Sequence, residues 1–160
     1  MSPDIHDLAA RESVRGTITR YAIAGDRGRL DELAACFTPE GTLEVHSAWT
    51  ATGRDEIVTR LAANQRDRGT AEIPGFFIRH FVINIDFELV TDTEIRTAAY
   101  FQVLGPQGLD HWGRYRDVLV PHEGRWRFRH RLVRVDARAT QSAAVKMPNR
   151  SPAPKHEVQQ

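Results

Sequence analysis

The groups in this chain best suited to moving a proton near neutral pH are its seven histidines. His80 is the one that heads a strand of apolar residues, so its imidazole is expected to face an interior. Asp26 is held between Gly25 and Gly28 at a helix exit. There its carboxylate either bends inward or caps the helix that follows. A histidine base suits removal of a proton α to a carbonyl, followed by loss of a β-hydroxyl, and such help is typically worth about 10²–10⁴ in rate. Tyr21 lies one turn before the helix exit. It reads equally as a donor to a substrate carbonyl or departing hydroxyl, and as a core tyrosine with its hydroxyl at a cavity edge.

A second group of polar residues lies in Asp110–Asp136, DHWGRYRDVLVPHEGRWRFRHRLVRVD. The stretch predicts two strands joined at Pro121-His122-Glu123-Gly124, with alternating side chains on opposite faces. One face mixes aromatic and polar groups and the other is rich in arginine, which predicts a lined cavity in place of a plain core. Tyr115 shares its phase with Gly113 and Asp117. If Tyr115 faces a cavity, Asp117 faces it too and needs a partner. Arg131 or Arg129 is that partner, or holds a substrate carboxylate or enolate, or lies on a solvated outer face or a dimer interface. His111 is placed at the cavity rim and His46 on a short strand near Trp49, while His6, His122 and His156 fall in a terminus, a turn and the tail. Phe76, Phe77, Phe81, Phe87, Phe101, Trp112, Trp126 and Phe128 divide between the core and an apolar pocket wall. Arg131, Phe101, Trp49 and His111 are the candidate substrate contacts.

The sequence has no HxH or HExxH spacing, so no metal is expected. It also lacks a G-x-G-x-x-G run, a P-loop and a G-x-S-x-G elbow, and cofactor-free chemistry is expected. A net charge of +1, with arginines interleaved among acids, argues against nucleic acid as a partner. Cys36 is the single cysteine, beside Phe37 on an apolar helix face, and reads as a buried structural thiol. Without an apolar signal core or a membrane-length run, the protein is expected to be soluble and cytoplasmic.

These residues need elements to position them, and 160 residues predict one domain. Ile5 to Ala24 carries a three-to-four-residue apolar period and predicts a helix. A second helix is predicted from about Leu30 to Phe37, then a turn at Thr38-Pro39-Glu40-Gly41 and a strand over Thr42–Trp49. Gly53-Arg54-Asp55 opens a third helix, Glu56 to about Asp67, followed by a loop at Gly69–Gly75. The period then switches to two. Strands are predicted over Phe76–Val90 and Glu94–Leu104, with turns at Thr91-Asp92 and Gly105-Pro106-Gln107-Gly108. Residues 138–160 are expected to be a disordered or partner-contacting tail. Three helices ahead of long antiparallel strands predict an α+β domain.

In order and spacing, these residues resemble the SnoaL-like branch of the NTF2-like superfamily. The resemblance is carried by Ile18, Tyr21 and Asp26, Leu30-Asp31-Glu32-Leu33, Cys36-Phe37, Gly53 and Ile57. It continues through Arg79-His80-Phe81, Gly113-Arg114-Tyr115-Asp117, Gly124-Arg125-Trp126-Arg127-Phe128, Arg131 and Asp136, and spans residues 1–137. It implies a cone-shaped barrel, a curved antiparallel sheet wrapped over three N-terminal helices. In its dehydratase-like members a tyrosine and an aspartate at the end of the first helix meet a histidine on the first long strand. The matching positions are Tyr21, Asp26 and His80, so the resemblance implies an Asp–His pair; Tyr115, from its strand phase with Gly113 and Asp117, is the best second donor. The second pocket histidine of scytalone dehydratase falls on Phe101, and its serine and asparagine fall on Gly113 and Tyr115. Scytalone itself is therefore not the expected substrate. The resemblance also implies a homodimer or higher homo-oligomer paired through the outer face of the sheet. The expected activity is that of a cofactor-independent lyase or isomerase on a small hydrophobic substrate. The alternatives are a polyketide cyclase and a ligand-binding module without chemistry.

Overall fold

A computed structural model describes residues 4–67, 75–140 and 142. Helix α1 spans Ile5–Asp26 and α2 spans Leu30–Ala34; they are followed by strands β1 (Phe37–Val45) and β2 (Trp49–Thr52), then helix α3 (Arg54–Asp67). The four long strands are β3 (Arg79–Val90), β4 (Ile95–Gly105), β5 (Gly108–His122) and β6 (Arg125–Arg138). The strands form one six-stranded sheet in the order β2-β1-β6-β5-β4-β3. All neighbours are antiparallel except β1 and β6, which run parallel. The curved sheet is not closed, since β2 and β3 remain its two edges, and the helices fill its concave side. This is the expected α+β, NTF2-like arrangement.

Several boundaries differ from expectation. The second helix ends at Ala34, and Phe37–Gly41 enters β1 where a helix end and a turn were predicted. The cause is an irregular β1–β6 ladder, whose register shifts between Phe37 and Thr42. Proline and glycine sit inside that irregularity, so their turn signal was real but local. The Thr42–Trp49 strand is split by a turn into β1 and β2. β3 starts at Arg79, not Phe76. The predicted tail begins too early, because Arg138 still belongs to β6 and Ala139 donates its amide to the carbonyl of Asp110 at 2.8 Å. The 69–75 loop, apart from Gly75, and most of the tail lie outside the described residues.

The core sits between α1 and the sheet. Val14, Ile18, Phe37, Leu43, Ile57 and Phe128 are buried there, one face of each element contributing at its own period. Thr17 fixes α1 to the sheet by donating to the Trp126 carbonyl at 2.6 Å, and Arg54 fixes α3 by donating twice to the Phe37 carbonyl. Cys36 is buried in this core, as expected, and its thiol donates to the Glu32 carbonyl. Bulges bend the sheet. In β3 the register shifts near Asn84, which takes a left-handed φ of 52°. In β6 a shift near Arg129 lets both Phe128 and Arg131 point inward, although they are three residues apart. Phe77 and Phe81, expected in the core or pocket wall, are exposed. No helix among the described residues is long and apolar enough to cross a membrane.

Candidate active site

The helices stand off from the sheet at one end and leave a cavity of about 430 Å³. Tyr21 and Gly25 of α1, Leu33 of α2 and Leu61, Asn64 and Gln65 of α3 form one wall. The sheet supplies His80, Phe101, His111 and Tyr115, with Leu43 and Trp49 closing the far side. A volume of this size, with apolar groups and several polar ones in its wall, is typical of a small-molecule site.

His80 occupies the cavity wall near the start of β3, an edge strand. An edge strand leaves backbone groups without a ladder partner. Asp26, the last residue of α1, satisfies one of them. It accepts the His80 amide at 3.0 and 3.2 Å, and its Oδ1 lies 2.6 Å from the ring Nδ1. Both side chains are largely buried, 19% and 9% exposed. The carboxylate sits at the negative end of the helix dipole, where an acid gains nothing from the helix. Its two contacts to His80 compensate. Of the two readings open for Asp26, the inward one describes the structure, since no side-chain cap on α2 is formed.

Tyr21 and Tyr115 meet edge to face with ring centroids 6.4 Å apart, and both line the cavity. Tyr115 is stacked on Phe101 at 4.4 Å. Burial pushes the hydroxyls of both tyrosines well above the ordinary tyrosine range, opposed by the nearby Arg131 cation. They therefore remain neutral donors across the physiological range.

Arg131 is the correction among the candidate substrate contacts. It does not line the cavity; it is fully buried beneath it. Its Nε and Nη2 donate to the two oxygens of Asp117 at 2.8 and 2.7 Å. Its guanidinium carbon lies 4.1–4.3 Å from the ring centroids of Tyr21, Tyr115 and Phe128. A full charge buried without a partner is costly, so Asp117, also buried and brought opposite by the β5–β6 register, claims it. Arg129, the other candidate partner, faces outward and donates to Glu94.

Trp49, Phe101 and His111 are in the wall, where they were expected. One polar pair at the cavity edge was missed. Asp110 places Oδ2 2.5 Å from His111 Nδ1, and Ser142 donates its hydroxyl to the same oxygen at 2.8 Å. Adjacent strand residues normally face opposite ways. Here the β4–β5 register runs from Val103↔His111 to Leu104↔Leu109, so Asp110 is the extra residue of a bulge and turns toward its neighbour. The only available sequence signal was a carboxylate and an imidazole side by side close to a glycine turn. Arg60, Asn64, Gln65 and Arg138 also reach the wall and carried no earlier expectation. His46, read as a surface or rim residue, is half-buried, and its Nε2 lies 3.1 Å from Arg134 Nη2.

Comparison with known proteins supports the same fold. A putative scytalone dehydratase from Novosphingobium aromaticivorans superposes with a TM-score of 0.68 at 22% identity, covering 90% of this chain and 97% of that one. A Catenulispora acidiphila protein in complex with S-DNPA gives 0.68 at 27% identity, covering 81% and 95%. ActVI-ORFA from Streptomyces coelicolor gives 0.67 at 22% identity, covering 79% and 97%. No curated protein matches the chain. The model of the SnoaL-like domain matches residues 6–132, which is most of the chain, and on that span, over this helix-backed sheet, the chain belongs to the SnoaL-like domain family.

Proposed function

We propose that the protein is a cofactor-independent lyase or isomerase that removes an acidic C–H proton from a small hydrophobic carbonyl substrate, with His80 as the general base. The observation that carries this reading is the 2.6 Å contact between His80 Nδ1 and Asp26 Oδ1 at the wall of the cavity. With Nδ1 donating to the carboxylate, Nε2 is the ring nitrogen left to accept the substrate proton. Asp26 then stabilises the imidazolium that forms. The proton leaves a carbon whose electron pair moves onto the carbonyl oxygen. Tyr21 and Tyr115 are the donors for that developing oxyanion, polarised by the Arg131 cation beneath their rings. The wall formed by Phe101 and Leu43 keeps water away and favours an apolar skeleton.

The same base would serve an aldol-type ring closure of the polyketide cyclase kind. The amides Asn64 and Gln65 on the opposite wall favour that second reading, because they suit a substrate with several oxygens. The test uses nitrobenzisoxazole, whose ring opens to a coloured phenolate when a base takes its ring C–H proton. The wild-type protein is expected to exceed free imidazole, and His80→Ala and Asp26→Asn are each expected to lose that advantage. Unchanged turnover in both variants removes the reading in favour of a binding module without chemistry.

The outer face of the sheet carries exposed Phe81, Ile83 and Tyr100 beside the Arg114–Asp136 and Arg116–Glu88 ion pairs. Apolar groups and both signs of charge on one face suit a second copy of this chain, so the functional unit we propose is a homodimer. Sedimentation of Tyr100→Glu as a monomer beside a dimeric wild type is the expected result.

A further inference from the structure

We propose that His111 and Asp110 form a second acid/base pair that works beside His80 on the sheet wall of the cavity. In this scheme His111 is the acid that protonates the leaving oxygen, and Asp110 is the positioning residue behind it. The inference rests on the reading of His80 as the base and deepens it.

The placement follows from the sheet. His80 is the cross-strand partner of Val103, and Val103 is the cross-strand partner of His111. Directly opposed residues project to the same face. The two histidines therefore stand in one row on the cavity side, two strands apart, with backbones roughly 10 Å from one another. Both are in the cavity wall. Each has Nδ1 against a carboxylate, Asp26 at 2.6 Å and Asp110 at 2.5 Å. The second pair is as sheltered as the first, with both side chains 12% exposed. Ser142 and the Ala139 amide hold Asp110 in place from the end of β6. The ring of His111 is in turn set edge-on to Phe101 at 5.9 Å, and Phe101 is part of the cavity wall. A bulge that turns a carboxylate toward its own neighbour departs from the strand's regular alternation, and in this chain it occurs beside the cavity.

The arrangement fits a compact substrate with an acidic C–H and an oxygen leaving group on adjacent carbons, the hydrogen turned toward His80 and the oxygen toward His111. His80 Nε2 takes the proton from carbon. The electron pair held on the carbonyl oxygen returns to form the new C=C bond as the C–O bond breaks. The departing oxygen takes a proton from the His111 imidazolium and leaves as a hydroxyl compound or water. His80 ends protonated and His111 neutral, and exchange of one proton each with solvent resets the site.

The experiment compares nitrobenzisoxazole with benzisoxazole lacking the nitro group. The first releases a stable phenolate that needs little help, and the second releases a more basic oxygen that needs an acid. Removing the base should slow both compounds alike, whereas removing the acid should slow chiefly the second. His111→Ala, and His111→Gln as a variant that keeps bulk against Phe101, are expected to slow the unsubstituted compound at least about tenfold and the nitro compound less than about threefold. Asp110→Asn should show the same selectivity to a smaller degree, which a purely structural role would not produce. Equal slowing of both compounds, or none, in the His111 variants overturns the second pair. No loss in His80→Ala overturns the base reading instead, and a wild type no faster than imidazole with either compound overturns both.

Discussion

Asp26 accepts from His80 twice, from the backbone amide at 3.0 Å and at the ring Nδ1 at 2.6 Å. The first contact places β3 against the end of α1, and the second fixes the imidazole. On the function proposed above, structure and chemistry meet at one carboxylate, and they can be separated. Asn at position 26 retains a side-chain oxygen for the amide but carries no charge for an imidazolium. Asp26→Asn is therefore expected to melt close to wild type while losing roughly tenfold or more in nitrobenzisoxazole turnover. The double variant Asp26→Asn/His80→Ala should be no slower than His80→Ala alone, because the aspartate acts through the histidine. Additive losses would show that Asp26 acts elsewhere.

The buried pair beneath the cavity has a different signature. Arg131 and Asp117 are each fully shielded from water, joined by two hydrogen bonds, and Thr97 donates to the same carboxylate. Removing one member strands a buried charge, which typically costs about 3–5 kcal/mol. Arg131→Met is expected to lose about that much in chemical denaturation, and Asp117→Leu similarly. The double variant should recover part of the loss, since replacing both charges with apolar groups leaves nothing uncompensated. An Arg131→Met protein as stable as wild type would contradict the placement.

Much of this architecture was readable in the residues. Period-two alternation in Ile95–Gly105 and Gly113–Leu119 survives in the burial of every second side chain. The pairing of Asp117 with an arginine followed from its phase with Tyr115, but the choice between Arg129 and Arg131 did not. That choice depends on the β6 bulge near Arg129, which reverses which residue faces inward, and no local pattern announces it. The pairing of Asp110 with His111 was hidden for the same reason, as strict alternation puts neighbours on opposite faces. Asp26 and His80 are 54 residues apart, and only their resemblance to a known arrangement linked them before the fold did. Alternation and helical period were legible because each is local. The bulges depend on ladder partners far along the chain.

Two glycines should respond in opposite directions to one added methyl group. At Gly113 a Cβ would stand 2.0 Å from the Arg134 carbonyl oxygen, where the β5–β6 register shifts. Backbone cannot step aside as a flexible side chain can, so Gly113→Ala is expected to lose at least about 1–3 kcal/mol. Gly16, inside α1, has no atom within 4 Å of the same position. Gly16→Ala should gain about 0.5–1 kcal/mol, because alanine restricts the unfolded chain and favours a helix. Urea midpoints of the two variants on either side of wild type check both positions.

Alkaline pH should unfold the protein through the two cavity tyrosines. Burial raises the Tyr21 and Tyr115 hydroxyls above the value of 10.0 that they hold in an unfolded chain. Above that pH the unfolded chain loses the protons that the folded one keeps, so the unfolded state binds fewer protons and stability falls as pH rises. Below it both states are protonated and the contribution is complete. The midpoint for urea unfolding is therefore expected to hold steady below about pH 9 and decline as pH climbs past 10. Replacing both residues with phenylalanine removes the groups that couple folding to hydroxide, at the expense of two hydroxyls at the cavity edge. Tyr21→Phe/Tyr115→Phe should flatten the decline, and a decline as steep as that of wild type would locate the alkaline sensitivity elsewhere.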